Sequence, residues 1–414
     1  MKLEKYTLGV GDRFARQGSA QLQAILRAHA AGIDVYPVWN KSNREHLIIG
    51  TKPGDVRIEA DRAAASLGFK GSYYVDADHI GLKTVEPFLA PSDYFTLDVA
   101  DFIGEPADPE AIERFVRTAR PYLGSLKIPG TDQSFEFSEK EVRTTAGKFL
   151  SATQEAGRIY QVIETGKGGD RFITEVSMDE TDVAQNPLEL FLILFMLAQA
   201  GVPLQTIAPK FTGRFNKGID YAGDLALFER EFEQDLSVIS FAIREFGLPS
   251  NLKLSVHSGS DKFSIYPIVN RLIKKHDAGL HVKTAGTTWL EELIGLAEAG
   301  REGLAVVRDI YVQAFDRFAE LTGMYSTVLD INQSKLPDPK TVRGWSTQQY
   351  VAALRHEESS PDYNPHFRQL LHVSFKVAAA MGAHFTDALE SNAEIVGRNV
   401  TDNLYHRHIR PLWG

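Results

Sequence analysis

Eight short β-rich runs punctuate the chain, separated by stretches in which apolar residues recur at helical spacing. The runs are YTLGV (6–10), DVYPVW (34–39), GSYYVD (71–76), YFTLDV (94–99), RFITEVSMD (171–179), LQTIAPKF (204–211), LKLSVHS (252–258) and LHVKTAG (280–286). Strands that alternate with helices form βαβ units, and such units build a parallel sheet. Eight units point to a closed (β/α)8 barrel of the TIM type, with an open doubly wound sheet as the alternative. The helical stretches carry their own boundaries. Residues 19–32 close on Gly32 and residues 221–247 close on Gly247. Asp108-Pro109 reads as N-cap and first residue of a helix through Tyr122, and Ser138 with Glu141 as a capping box.

The chain has 414 residues. A barrel of about 250 residues with additions fits that length. The expected division is a catalytic barrel over 1–300, with an inserted hairpin or extra helices around 100–170. A mostly helical extension over 301–414, broken near KLPDPK (335–340), packs on the barrel.

The net charge of −9 and the lack of any long basic run argue against nucleic acid as the main partner. The chain has no cysteine, which removes disulfides, thiolate metal sites and cysteine nucleophiles, so a transition metal has only His, Asp and Glu to hold it. The start, MKLEKYTLGVGDRF, lacks the apolar core of a signal peptide. The most apolar window, 187–204, is interrupted by Glu189 and Gln199 and reads as a buried helix, not a membrane span. The expectation is a cytoplasmic protein with a small-molecule partner, without membrane or nucleic-acid binding. Homo-oligomeric assembly is allowed.

In a barrel, alternate strand residues face inward. Apolar parity turns Leu252, Leu254 and Val256 toward the helices, which leaves Lys253, Ser255 and His257 inward. The same rule turns in His281 and Lys283, then Glu175, Ser177 and Asp179, and then Tyr74, Asp76 and Asp78. His79 lies just past its strand. Carboxylates and imidazoles thus gather near strand ends, where barrel enzymes keep their active sites. His79, His257 and His281 suit Zn²⁺, Mn²⁺, Co²⁺, Ni²⁺ or Fe²⁺, and three ligands with open positions are the plan of a catalytic site. The competing reading is three hydrogen-bonded core histidines. His29, His46, His276, His356, His366, His384, His406 and His408 read as solvated, and His372 as a helix-surface or packing residue.

The loop HSGSDKF after the seventh run has two readings. Ser258, Gly259 and Ser260 with Lys262 form an anion-binding nest, or they only make the turn. GVGDRF (9–14) sets Asp12 and Arg13 at the first strand end and does not complete a dinucleotide fingerprint, so no nicotinamide is expected.

GVGDRF, DADH, TEVSMDET, FTGRFNKGIDYAGDLALFERE, LSVHSGSDKFSIYP and LHVKTAGTTWLE resemble the motifs of the tagaturonate/fructuronate epimerases of hexuronate catabolism. The resemblance implies a divalent-metal-dependent isomerase that inverts C4 of a 2-keto hexuronate. It implies His79, His257 and His281 as metal ligands, Asp78 as proton acceptor and Glu175 as proton donor. Asp179 and Glu180 fall in the same motif and rank as supporting groups or contacts to substrate hydroxyls. A substrate carboxylate needs a cation, and Arg13, Lys41, Lys210, Lys262 and Lys283 lie near strand ends. Asp261 either holds a ligand in place or serves the turn. Tagatose and fructose, lacking the carboxylate, are related candidate substrates. The rival functions are a metal-dependent aldolase of class II type on a keto sugar acid and a non-catalytic sugar- or metal-binding barrel.

Overall fold

The computed structural model describes residues 1–129, 134–181 and 183–414. Ten strands occur among them: β1 (Tyr6–Gly11), β2 (Tyr36–Ser42), β3 (Tyr74–Ile80), β4 (Tyr94–Asp98), β5 (Gly124–Lys127), β6 (Ser134–Phe137), β7 (Ile173–Ser177), β8 (Thr206–Ala208), β9 (Lys253–His257) and β10 (Leu280–Lys283). Eight close into a parallel barrel in the order β1-β2-β3-β4-β7-β8-β9-β10, and β10 pairs back onto β1. Each of the eight runs read from the sequence carries one barrel strand. The remaining pair, β5 and β6, is an antiparallel hairpin between β4 and β7, flanked by the helices Pro109–Ala119 and Glu139–Lys167.

Local signals set the helix ends. Ser138 and Glu141 form the capping box, and Asp108 caps the helix that begins at Pro109. That helix gives way to a 3-10 turn at Arg120–Tyr122, so it ends before Tyr122. Asp224 caps Leu225–Phe246, and Gly247 ends it at φ 65°, a left-handed conformation that costs a glycine little. The apolar window folds as the buried helix Pro187–Gln199. No helix among the described residues is long and apolar enough to cross a membrane.

Strand parity sorts the core. Leu8, Val75, Leu97, Val176, Leu254 and Val282 face the helix layer and belong to the main apolar cluster. A small separate cluster of Leu3, Val38, Tyr74, Tyr94 and Ile173 plugs the N-terminal end of the barrel. The polar inward residues therefore sit above an apolar floor, toward the C-terminal mouth. Beyond residue 300 the chain is helical, and Trp289, Leu293 and Leu296 pack with Tyr311, Tyr350, Phe367 and Phe385 in a second apolar cluster.

Candidate active site

The site depends on a fault in β3. Asp76 and Ala77 pair with Tyr94 and Phe95, but the next pair is Ile80 with Leu97. Three steps on β3 answer two on β4, so β3 holds one extra residue. His79 absorbs it at φ 53°. A bulge of this kind re-aims a side chain, and a non-glycine residue at positive φ marks a position held by its surroundings. Strict alternation would send His79 outward; the bulge lets Asp78 and His79 both enter the site.

Three histidines are each held through Nδ1. His79 Nδ1 donates to Asp78 Oδ1 at 3.0 Å, and its Nε2 is buried without a hydrogen-bond partner among the described residues. His257 Nδ1 donates to Asp179 Oδ1 at 3.1 Å, and its Nε2 faces Glu175 Oε1 at 2.9 Å. His281 Nδ1 lies 2.8 Å from Thr7 Oγ1 and 3.3 Å from the Thr7 carbonyl, which can only accept, and its Nε2 is likewise buried without a partner. A ring held at Nδ1 by an oxygen acceptor, with Nε2 left over, is how proteins fix a metal-binding histidine; His79 and His281 fit it, whereas His257 Nε2 is hydrogen-bonded to Glu175. In space, His79, His257 and Asp179 form a tight group whose ligand atoms lie within 4.8 Å of one another. His281 is outside that group: it pairs in register with Ser255, one inward position below His257, with its ring tilted 39° to that of Tyr94 and centroids 5.4 Å apart.

Lys283 occupies the level of His257. Its ammonium lies 2.8 Å from Asp76, 2.9 Å from Asp78 and 2.9 Å from Glu175, and donates to Thr96 Oγ1 at 2.5 Å. Gly9 makes this approach feasible, since a Cβ there would meet Lys283 Cγ at 2.8 Å. Tyr94 donates to Glu175 Oε2 at 2.8 Å, and Thr96 bonds both Asp76 and Glu175. Burial alone would raise the Asp78 and Glu175 carboxyls. The Lys283 charge, with His79 for Asp78 and His257 for Glu175, outweighs it and holds both well below the usual range. Burial wins for Asp76, which is lifted to about 7. Four carboxylates (Asp76, Asp78, Glu175, Asp179) thus face one ammonium and the imidazoles. Against burial, these carboxylates raise His79 well above its ordinary value and His257 to about 9, so the rings hold protons that a divalent cation would displace.

Other candidates are placed elsewhere. Lys262 is fully buried and donates to the carbonyls of Asn216, Ile219 and Asp261 and to Ser260 Oγ, so it has no donor left for a substrate. Asp261 is ringed by Arg368 at 2.7 Å, Thr287 at 2.9 Å, and His356 and His408 at 3.2 Å each; it ties the loop after β9 to the C-terminal helices. Ser258 Oγ donates to the Lys283 carbonyl at 2.7 Å. The turn reading of HSGSDKF is therefore the one the geometry supports. Lys41 follows inward Asn40 on β2, in register with Ala77, and points away from the barrel interior, donating to the Arg13 carbonyl at 2.6 Å. Asp12 is buried and accepts from the Gln17 N–H at 2.5 Å. Lys210 is half-buried two residues past β8, without an ion pair among the described residues. Arg13 is bound through Nε to Glu45 at 3.0 Å, with Nη1 buried and unpartnered. Lys283 is saturated by carboxylates and serves the site from within. His46, His356 and His408, expected in solvent, are buried. Asp76, Tyr94 and Thr96 complete the network; alternation of the third and fourth runs is the signal that reaches them.

A family model for tagaturonate epimerase matches residues 1–390. The tagaturonate/fructuronate epimerase of Thermotoga maritima is 30% identical over 430 residues, spanning 99% of this chain and 81% of that protein. Crystal structures of fructuronate-tagaturonate epimerase from Cohnella laeviribosi are 25% identical. The form with one glycerol superposes with a TM-score of 0.82 and the native form with 0.80, each over 100% of this chain and 82% of that one. A probable tagatose 6-phosphate kinase from Sinorhizobium meliloti, 10% identical with a TM-score of 0.50, shares the fold alone.

Proposed function

Because the chain belongs to the tagaturonate epimerase family, we propose that it interconverts tagaturonate and fructuronate at C4, with a divalent cation held by the Nε2 atoms of His79, His257 and His281. The observation that carries this reading is the shared state of the three rings. Each Nδ1 is spoken for, and each Nε2 is either unpartnered or faces Glu175. Asp179, fixed on His257 Nδ1, orients that ring. When bound, such a cation acts as a Lewis acid on substrate oxygens.

The chemistry must answer one difficulty. The C4 proton of a 2-ketose is not α to the carbonyl, so enolisation would scramble C3 and leave C4 untouched. A base that takes the C4 hydroxyl proton lets the C3–C4 bond break, its electron pair passing toward the C2 carbonyl. The C4 aldehyde then turns its other face to the C3 carbon, the bond re-forms, and the new C4 oxygen recovers a proton. Asp78, held ionised by Lys283 and His79, is the base for the first transfer. Glu175 also starts ionised, so it can donate only after taking up a proton. Asp76, lifted to about 7 and linked to Glu175 through Thr96 and Lys283, supplies it, and the proton taken by Asp78 returns to Asp76 through Lys283, which bonds both, to reset the site. Tagatose and fructose present the same C2–C4 atoms, so the chemistry alone does not bar them.

Substrate deuterated at C4 tests the route. Bond cleavage keeps the label on the aldehyde carbon and therefore in the product. Washout of the label into water would instead demand direct deprotonation at C4. Free aldehyde accumulating in place of epimer would mark an aldolase.

A further inference from the structure

Above the histidines, cations crowd one aromatic ring. The Lys217 ammonium lies 5.0 Å from the Tyr325 ring centroid, Arg44 5.7 Å and Lys376 5.8 Å. None of these three cations is in an ion pair among the described residues. Arg13 stands nearby, stacked 4.4 Å over Phe375 with Nη1 buried and unpartnered. Arg13 and Arg44 each follow a barrel strand by two residues, and Lys217 is in the loop after β8, so all three rise from the C-terminal mouth. Tyr325, Phe375 and Lys376 come from the C-terminal helical region and close over them. His372, close enough to Arg13 and Lys217 to feel their charge, adds two buried ring nitrogens without partners among the described residues. Burial lowers the Lys217 ammonium, and Arg13 and Arg44 push it further down against the opposing pull of Glu180 and Glu45. Glu180, one residue past Asp179, is a charged neighbour of both His79 and Lys217, which sets this cationic cup beside the histidine trio.

Two carboxylates, Glu45 on Arg13 and Glu180 beside Lys217, answer only part of the charge of Arg13, Arg44, Lys217 and Lys376, and an anion relieves the repulsion that remains. Carboxylates are matched by Arg and Lys donors with charge-assisted hydrogen bonds. We propose that Arg13, Arg44 and Lys217, gathered with Lys376 around Tyr325, form the subsite that takes the carboxylate of the substrate. This rests on the reading of the protein as a hexuronate epimerase and deepens it. In a 2-keto hexuronate the carboxylate is two carbons from the reacting C4, on the fragment that becomes the aldehyde. Anchoring it keeps that fragment in the site while C4 turns, and it selects sugar acids over neutral ketohexoses.

The test combines turnover of tagaturonate with inhibition by gluconate and sorbitol, an unreactive sugar acid and its neutral alcohol. Wild type should turn over tagaturonate and bind gluconate far better than sorbitol. Lys217→Met should raise the KM for tagaturonate and the inhibition constant of gluconate about 10- to 100-fold, with kcat nearly kept and sorbitol unaffected. Lys217→Arg should recover most of the loss, and Arg44→Gln, at an exposed position, should show a smaller shift of the same kind. Equal inhibition by gluconate and sorbitol in wild type overturns the proposal. So do unchanged KM and gluconate inhibition in both neutralised variants, or a fall in kcat that tracks a lowered melting temperature. Strong gluconate binding by a wild type that does not epimerise tagaturonate would sink the functional reading and leave the anion subsite standing.

Discussion

His79 and His257 reach each other across the mouth of the barrel with ring centroids 5.2 Å apart, and Asp179 Oδ1 lies 3.1 Å from His257 Nδ1 and 3.8 Å from His79 Nε2. The β3 bulge makes this meeting feasible by turning His79 inward beside Asp78. If the Nε2 atoms bind the cation and Asp179 only orients His257, substitutions will separate the roles. His79→Ala, His257→Ala and His281→Ala should each emerge from dialysis without stoichiometric metal. Asp179→Asn should keep metal but bind it about 10- to 100-fold more weakly. Metal content by plasma emission spectrometry decides. Loss in Asp179→Asn together with full retention in His281→Ala would instead make the ligand set His79, Asp179 and His257.

Lys283 is the counter-charge for Asp76, Asp78 and Glu175. Lys283→Met should raise the pKa values of all three, since the largest opposing influence on their burial is gone. The acid limb of the rate profile should move to higher pH, and turnover should fall by at least about 100-fold with the loss of the base. Leaving buried charge uncompensated should also cost about 3–5 kcal/mol in urea unfolding. An unshifted pH–rate profile would show that Lys283 does not hold Asp78 ionised.

Asp261 pins the loop after β9 to Arg368, His356 and His408. Its removal acts on stability and leaves the chemistry in place. Asp261→Ala should unfold at lower urea concentration, by about 3–5 kcal/mol, because Arg368 is left buried without its partner. A variant of wild-type stability with a raised KM would return Asp261 to the substrate.

His46 supplies a pH signature. Burial depresses its imidazole to about 4, below the value of about 6.5 for an unfolded chain. The unfolded state therefore binds more protons between pH 6.5 and 4, and stability must fall as pH drops through that window. The full loss is of the order of 3 kcal/mol. His46→Gln should flatten the limb in melting temperature measured from pH 7 to pH 4. An identical slope in both proteins would exclude His46 as its source.

Much of the barrel was legible because its signals are local and periodic. Leu254 and Val256 alternate with Ser255 and His257, and that period is the pleat itself. The same parity reached Asp76, Asp78, Glu175, His257, His281 and Lys283. It could not reach His79, since a bulge is an exception to the period on which the reading depends. Lys262 misled for a different reason. A lysine after a strand-end Ser/Gly loop looks like an anion ligand, but carbonyls of a distant loop at Asn216 and Ile219 had already claimed it. His356 and His408 looked solvated because the Asp261 that buries them lies about a hundred residues or more away. Lys217, Arg44 and Lys376 carry no shared pattern at all; they meet only where the C-terminal helices fold back over the mouth.

Metal removal tests the three-histidine centre most directly. Protein stripped with a chelator and exchanged into metal-free buffer should be assayed with tagaturonate by carbon NMR, before and after addition of Zn²⁺, Mn²⁺, Co²⁺, Ni²⁺ or Fe²⁺. Loss of fructuronate formation on stripping, and its return with at least one of these ions, is the predicted result. Full epimerase activity in protein shown to contain no divalent metal would contradict it.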